Sequence, residues 1–355
     1  MRATRFIFLT RRLYLAFCFS AIIQIGSLDL SAQSSPDTNN AAELYREAFA
    51  SLKNLSAADK KLLESVRIRE SGAQSASDQT EYKKLLARLQ PSIERVKKAS
   101  KLVNADWGTD DESAQWIDLG SSSKQLLRAL ILQARLDISQ ERFEEAANVC
   151  LSAMALSRHV GQDGVFIVRL IEASTFKIVT NFCGLGLPEF PKSVLKSIRE
   201  RLGELPASMT FKETLRAENQ YSRKLSQQNG SPYPKDLMDG YLEFYDQLVE
   251  FGNLPPDQFE DKLKALGDSY ADNVMVKAIV PMLPQMRQQS AAHEVSMLLF
   301  EQGLNILISG VQVIKDSKDP FGEGPLEYVP LEGNAFELRS QLMHRGENVK
   351  LQFGR

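Results

Sequence analysis

The sequence has few of the residues on which metal and nucleophile chemistry most often depends. Its 355 residues include three histidines, three cysteines and two tryptophans. It contains no Gly-x-Ser-x-Gly turn, no Gly-x-x-x-x-Gly-Lys phosphate loop and no Gly-x-Gly-x-x-Gly after a predicted strand. We therefore find no motif for a serine hydrolase, a nucleotide-binding enzyme or a bound cofactor.

Metal-binding patterns are equally scarce. His293 and Glu294 lack the second histidine of a zinc-protease helix, and neither His159 nor His344 is near enough in the chain to complete a local site. We interpret the acidic run at 110–112 as solvated loop residues rather than a cation site. Four methionines have the spacing of helix core residues rather than of a copper site: Met275, Met282, Met286 and Met297.

The chain also lacks an excess of basic residues. Lysine and arginine number 43 against 45 acidic residues, which gives a formal net charge of −2. Binding to nucleic acid without sequence preference depends on clustered Lys and Arg. The composition therefore argues against a nucleic-acid partner.

The amino terminus has the most distinct pattern. Four arginines in the first twelve residues precede an uncharged, mainly apolar run, Leu13–Gly26. This run is shorter than the roughly 20 residues of a membrane-spanning helix and has the length of a signal-peptide core. We predict that residues 1–32 are a signal peptide, cut between Ala32 and Gln33, and that the polar residues 33–40 are a flexible start of the mature chain.

This prediction places the protein in the periplasm or cell envelope. The alternative is that the same segment remains as an uncleaved anchor, which would then be the protein's membrane contact. A lipoprotein signal at Cys18 is excluded, because Phe17 is too bulky for the small-residue position before it.

Two cysteines remain in the predicted mature chain, Cys150 and Cys183. An even number in an oxidising compartment favours a disulfide. However, if the chain turns at residues 161–164 between antiparallel helices, the two positions are offset by about 12 Å along the helix axes. This exceeds the ~7 Å Cα separation that a bridge allows, so we expect two buried free thiols.

Apolar residues recur at helical spacing over most of the chain, and alternate only at its end. We predict a mostly α fold, either a multi-helix bundle or a solenoid-like array of helical hairpins. The N-terminal helical region covers 41–228 and includes a tight hairpin at 126–158. The C-terminal helical region covers 236–314. Within these regions we expect a helix interrupted at Pro91, irregular chain at 106–123, and a Thr210–Glu213 capping box.

The segment 319–355 changes to the alternation of strands. Phe336, Leu338, Ser340 and Leu342 share one side of one predicted strand, and Val349, Leu351 and Phe353 share one side of another. Arg345 and Gly346 lie between the two. We predict a small β tail, as an antiparallel hairpin or a three-stranded sheet, packed on the helices.

The predicted hairpin resembles a tetratricopeptide unit. Ala134 matches the small residue of the first helix, Phe143 the aromatic at the turn, and Ala146 and Ala153 the close-packing positions of the second helix. The segment departs from the pattern at Asp137, where an aromatic is usual. The resemblance implies a pair of closely packed helices.

A broader resemblance covers most of the predicted mature chain. The chain is similar to a group of uncharacterised exported bacterial proteins, which implies an exported helical protein and no particular activity. The residues that carry it are Asn40-Ala41-Ala42, Leu44-Tyr45, Ala48-Phe49, Asp106-Trp107-Gly108, Ala134-Arg135-Leu136, Arg142-Phe143, Glu145-Ala146, Arg158-His159-Val160, Asp319-Pro320-Phe321, Pro325-Leu326 and Tyr328.

The tail (DPFGEGPLEY, then FELRS) is also similar to the carboxy-terminal sheet of type II secretion pseudopilins. The pilin start Gly-Phe-Thr-Leu-x-Glu is missing, and residues 344–355 replace the acidic calcium-binding run. The resemblance therefore implies a shared small sheet motif without assembly into a pilus.

Two functions remain open at this point. The first is a non-enzymatic envelope scaffold that binds a protein or peptide along a helical groove, as stacked helix pairs do. The second is an enzyme whose site is assembled from four dispersed polar residues, the candidates being Asp106, Glu145, His159 and Glu218. We interpret Trp107 as a packing residue that fixes its loop rather than as a ligand contact.

Overall fold

The computed structural model describes residues 39–66, 76–108, 113–227 and 233–355. The predicted signal peptide, its cleavage site at Ala32 and Gln33, and the acidic run at 110–112 lie outside these residues. Residues 39–355 form one compact unit.

The described residues contain twelve α-helices and a small sheet, which confirms the predicted mostly α fold. The helices are α1 (Ala41–Lys53), α2 (Ala57–Glu64), α3 (Ala76–Ala99), α4 (Ser113–Ser139), α5 (Phe143–Val160), α6 (Phe166–Gly186), α7 (Lys192–Leu202), α8 (Phe211–Gln227), α9 (Lys235–Val249), α10 (Pro256–Ser269), α11 (Val274–Ile279) and α12 (Leu283–Ser309). Short 3₁₀ segments follow α6, α11 and α12 at Leu187–Glu189, Val280–Met282 and Val311–Asp316. No helix among these residues has both the length and the apolar character needed to cross a membrane.

Side-chain caps fix where several helices begin. The amide of Glu213 donates to Thr210 Oγ1 (3.2 Å), and the amide of Thr210 donates to Glu213 Oε2 (2.7 Å), which confirms the predicted capping box of α8. The main-chain and hydroxyl hydrogen bonds from Thr210 lower the pKa of Glu213. Asn40 caps α1 in a simpler way, by accepting from the amide of Ala42.

Two predicted irregularities are wrong. α3 continues through Pro91, because Leu89 and Ile93 are buried on the face that packs on α1, while Pro91 lies on the exposed side. α4 begins at Ser113, within the stretch predicted to be irregular, and buries Trp116 as part of its apolar face. In both cases tertiary packing outweighs a local preference.

The buried apolar side chains form two clusters. The larger lies among α1–α7, α12 and the sheet. The smaller lies among α8–α11 and takes in Phe166 at the start of α6 and Leu283 at the start of α12. Met275, Met286 and Met297 are partly buried against these clusters, whereas Met282 is exposed, so the core prediction for Met282 is wrong.

The tail is an antiparallel three-stranded sheet in the order β1 (Glu327–Pro330), β2 (Phe336–His344), β3 (Glu347–Phe353). The residues predicted to share one side of β2 and β3 are all buried. Arg345 and Gly346, both at positive φ, make the two-residue turn between them. β3 lies so close to α12 that a Cβ on Gly303 would come within 1.9 Å of the Phe353 ring, so only glycine fits there.

Cys150 and Cys183 form a disulfide between α5 and α6, with their Cα atoms 6.2 Å apart. The expectation of two free thiols is therefore wrong. That estimate took the turn as short and the ends of α5 and α6 as level. In fact the main chain keeps turning after α5 through the hydrogen bonds Gly161 N–Arg158 O and Gly164 N–Gly161 O, and α6 begins only at Phe166. Because the Cα atoms of Cys150 and Cys183 are 6.2 Å apart, the end of α5 and the start of α6 are not level.

We expect the Cys150→Ala/Cys183→Ala variant to lose about 3–4 kcal/mol of unfolding free energy, because the bond closes a loop of 33 residues in the unfolded chain. Urea unfolding at pH 7 measures this loss. The control is wild-type protein refolded in excess dithiothreitol, which lacks the bond but keeps both sulfur atoms. If the variant and the reduced protein both unfold at the same urea concentration as the oxidised wild type, the disulfide is not formed as described.

Candidate functional site

His159, one of the four predicted candidates, is fully buried at the end of α5 and held by both ring nitrogens. Nδ1 lies 2.9 Å from the Tyr45 hydroxyl, and Nε2 lies 3.1 Å from the carbonyl oxygen of Leu102. A carbonyl only accepts, so Nε2 carries the proton and Nδ1 accepts from Tyr45. Burial lowers the pKa of His159 to about 4, so the ring is neutral at pH 7. Both nitrogens are occupied, and the ring has no free group for catalysis.

The segment around Asp106 and Trp107 is held against the same place. Asn40 exchanges two hydrogen bonds of 2.9 Å with the main chain of Asp106. Trp107 is 3% exposed, stacks on Tyr45, and donates from Nε1 to the carbonyl oxygen of His159. Trp107 is therefore a packing residue, as interpreted from the sequence.

This contact brings together three separate parts of the chain: the start of α1, residues 106–108, and the end of α5. Asp106 itself is exposed and accepts from the amide of Gly108, which has a φ of +57°. It stabilises a turn.

The other two candidates lie elsewhere. Glu145 is exposed in the first turn of α5, about 21 Å along the helix from His159. Glu218 accepts from the amide of Phe166 and so caps the start of α6. Burial raises the pKa of Glu218, partly offset by this hydrogen bond. The structure therefore does not bring the four predicted residues into one site.

A second buried polar cluster was not predicted. Glu172 on α6 is fully buried; its Oε2 pairs with Arg169, and its Oε1 accepts from Ser208 Oγ at 2.7 Å and contacts His293 Nε2 at 3.2 Å. Burial would raise the pKa of Glu172, but the hydrogen bond from His293 and the charge of Arg169 outweigh it and hold this pKa low. Gly161 makes room for the carboxylate, because a Cβ there would lie 1.6 Å from Glu172 Oε2.

The sequence contains one indication of this cluster, but the same pattern is also typical of a helix surface. Glu172 is the one acidic residue in the mainly apolar helix α6, three positions after Arg169. Such an i, i+3 pair is ordinary on a helix surface. Nothing local places Ser208 and His293 beside it, since they lie 36 and 121 residues away.

Ser208, His293 and Glu172 are not arranged as a catalytic triad. In a triad the serine and the acid contact opposite nitrogens of the imidazole. Here both contact Nε2, and Nδ1 is buried without a partner. The adjoining cavity is about 20 Å³, which is room for one water molecule. The cluster stabilises the joint between α6 and α12.

Two larger grooves open on the surface. The first, of about 220 Å³, lies between the start of α4 and α8; its lining comprises Asp106, Gly108, Trp116, Asp163, Val165, Ala217, Gln220, Tyr221 and Lys224. The second, of about 380 Å³, we call the α7–α12 groove; its lining comprises Arg199, Gln302, Asn305, Ser309, Val313, Asp316 and Ser317. Of the four predicted residues, Asp106 lines the first groove and none lines the second.

Within the described residues, no three His, Cys, Asp or Glu side chains are grouped so that they could hold a metal ion. Comparison of this chain with protein-family models, with curated proteins and with solved structures found no match. Its functional interpretation therefore depends on the geometry alone.

We expect the imidazole of His159 to titrate near pH 4. Because the folded pKa lies below the ordinary value of about 6.5, folded protein binds fewer protons than unfolded chain between these values. Stability is therefore complete above about pH 6.5 and falls towards pH 4, by an amount on the order of 3 kcal/mol. NMR titration of the ring protons measures the midpoint directly.

In the variant His159→Gln the ring-proton resonance of His159 is absent, which identifies it in the wild-type spectrum. The variant should also lose the part of the acid destabilisation that His159 causes. His344→Gln, at a half-buried position in β2, is the matched control and should leave the His159 midpoint unchanged. A midpoint near 6.5 for His159 would show that the ring is not buried as described.

Proposed function

We propose that this chain is an exported helical scaffold that binds a segment of another protein and performs no chemistry of its own. The observation that carries the proposal is the distribution of its polar groups. The interior groups that resemble catalytic residues, His159 and Glu172 above all, are used in internal hydrogen bonds. Polar side chains without internal partners instead face an open surface groove.

Export is supported by two independent features. The basic start and short apolar run of residues 1–26 have the composition of a secretion signal. The disulfide between Cys150 and Cys183 is of a kind that persists in oxidising compartments such as the periplasm. The close helix pair of α4 and α5 supports the interpretation as a tetratricopeptide-like hairpin.

That hairpin also has a feature that accounts for its unusual residue. Asp137, which stands where an aromatic is usual, is buried and accepts from Arg142 Nε at 3.0 Å across the turn. The ion pair stabilises the turn in place of aromatic packing. It leaves the close contact of α4 with α5 intact.

Expression with a carboxy-terminal tag tests the export proposal. We expect the protein in the periplasmic or envelope fraction to begin at Gln33 and to have no free thiols. Amino-terminal sequencing and thiol labelling of denatured, unreduced protein measure both. Recovery in the cytoplasm with residues 1–32 retained and two labelled cysteines would contradict export.

Affinity capture from the envelope fraction tests the binding proposal. We expect the folded, tagged mature chain to recover one partner reproducibly, and the purified partner to bind it directly by calorimetry. The control bait is the same chain reduced, alkylated and unfolded. If the folded bait recovers nothing beyond what the unfolded bait recovers, the proposed binding function is wrong.

A further inference from the structure

The α7–α12 groove has an unusual lining for a cleft between helices. Gln302, Asn305 and Ser309 lie at i, i+3 and i+7 on α12, and therefore on one face of that helix. They cover about 10.5 Å along the helix axis. Val313 is the one apolar residue among those that line the groove.

Charged residues of opposite sign complete the groove. Arg199 comes from α7 and Asp316 from the end of the 3₁₀ segment Val311–Asp316. A single basic residue opposed by an acidic one does not suit a phosphate backbone, which needs clustered cations. An amphipathic helix is equally unsuited, because it needs an apolar groove.

Most polar side chains of this groove are free to bind, although Ser317 donates to the carbonyl oxygen of Ile314. Arg199, Gln302, Asn305 and Asp316 have no hydrogen-bonding or ionic partner among the described residues. In the groove between α4 and α8, by contrast, Asp163, Tyr221 and Lys224 already have partners within the chain. Unpaired polar side chains therefore make up a larger share of the lining of the α7–α12 groove than of the groove between α4 and α8.

A side-chain carboxamide offers a C=O acceptor and N–H donors on one planar group, as a peptide unit does. Gln302 and Asn305 can therefore each pair with the N–H and C=O of an extended chain. An extended chain presents equivalent groups about every 6.7 Å. The rise from Asn305 to Ser309 is about 6 Å, and the rise from Gln302 to Asn305 is about 4.5 Å, so the longer side chain of Gln302 has to reach outward to cover the difference. The face from Gln302 to Ser309 matches about three extended residues.

We propose that the α7–α12 groove binds an extended peptide segment of a partner protein, through hydrogen bonds from the carboxamides of Gln302 and Asn305 to its main chain. Arg199 and Asp316 set its direction by pairing with an acidic and a basic side chain of the peptide. This assignment rests on the proposed binding function, for which it names the surface and the class of ligand.

A random dodecapeptide display library, panned on the wild-type mature chain, provides the probe. Selected peptides are synthesised, and their binding is measured by calorimetry. The test variant is Gln302→Leu/Asn305→Leu, which removes the carboxamides, keeps approximate side-chain size and does not lower helix propensity. We expect binding weaker by on the order of tenfold to a hundredfold, because the peptide's main-chain groups lose their partners.

Gln220→Leu is the matched control, since Gln220 is exposed on α8 and lines the other groove. We expect it to bind with wild-type affinity. If the double variant is poorly folded, Arg199→Glu, at an exposed position on α7, replaces it and should weaken binding of acidic peptides.

Equal affinity for the wild type and the double variant would overturn the assignment to this groove while leaving peptide binding in place. If panning enriches no peptide, the ligand is not an extended peptide and the proposal is wrong. If no peptide is enriched but affinity capture recovers a folded partner, the proposed scaffold function stands. If affinity capture also recovers nothing, both proposals are wrong.

Discussion

The structure depends on the burial of α5 on almost every side. Thirteen of its eighteen residues are buried, and it contacts α3, α4, α6 and α7. A helix in that position can hold only side chains that are small, apolar or fully hydrogen-bonded. Alanines and serines such as Ala146 and Ser152 let its neighbours approach closely. Cys150 is bonded to α6, and His159 is kept neutral by two fixed partners.

The same constraint accounts for the Glu172 cluster. At the start of α6 the chain lies between the two apolar clusters, and the polar groups there are largely shielded from water. Glu172, Arg169, Ser208 and His293 bind one another, with only His293 Nδ1 left without a partner among the described residues, and they join α6 to α12. Gly161 is required at the end of α5 because the carboxylate occupies the space of its side chain. Perturbed pKa values at this joint follow from structure, although perturbation of this kind is also typical of active sites.

Local patterns predicted much of the fold. Helical periodicity, the Thr210–Glu213 capping box and the alternation of β2 and β3 all act within a few residues, so one segment is enough to recognise them. The disulfide was mispredicted because its geometry depends on how far the turn after α5 carries the chain. The Glu172 cluster and the α7–α12 groove were missed because each combines residues about a hundred positions apart. The helix packing that brings them together has no local signal.

The buried polar groups His159 and Glu172 have internal hydrogen-bonding partners, and we propose that the polar α7–α12 groove binds a partner. Hydrogen exchange, measured by mass spectrometry on the mature chain with and without its captured partner, tests this most directly. The account predicts new protection in α7, the second half of α12 and residues 311–317, with none around Glu172 and His293. Protection centred on Glu172 and His293, with chemical change in the bound partner, would contradict it.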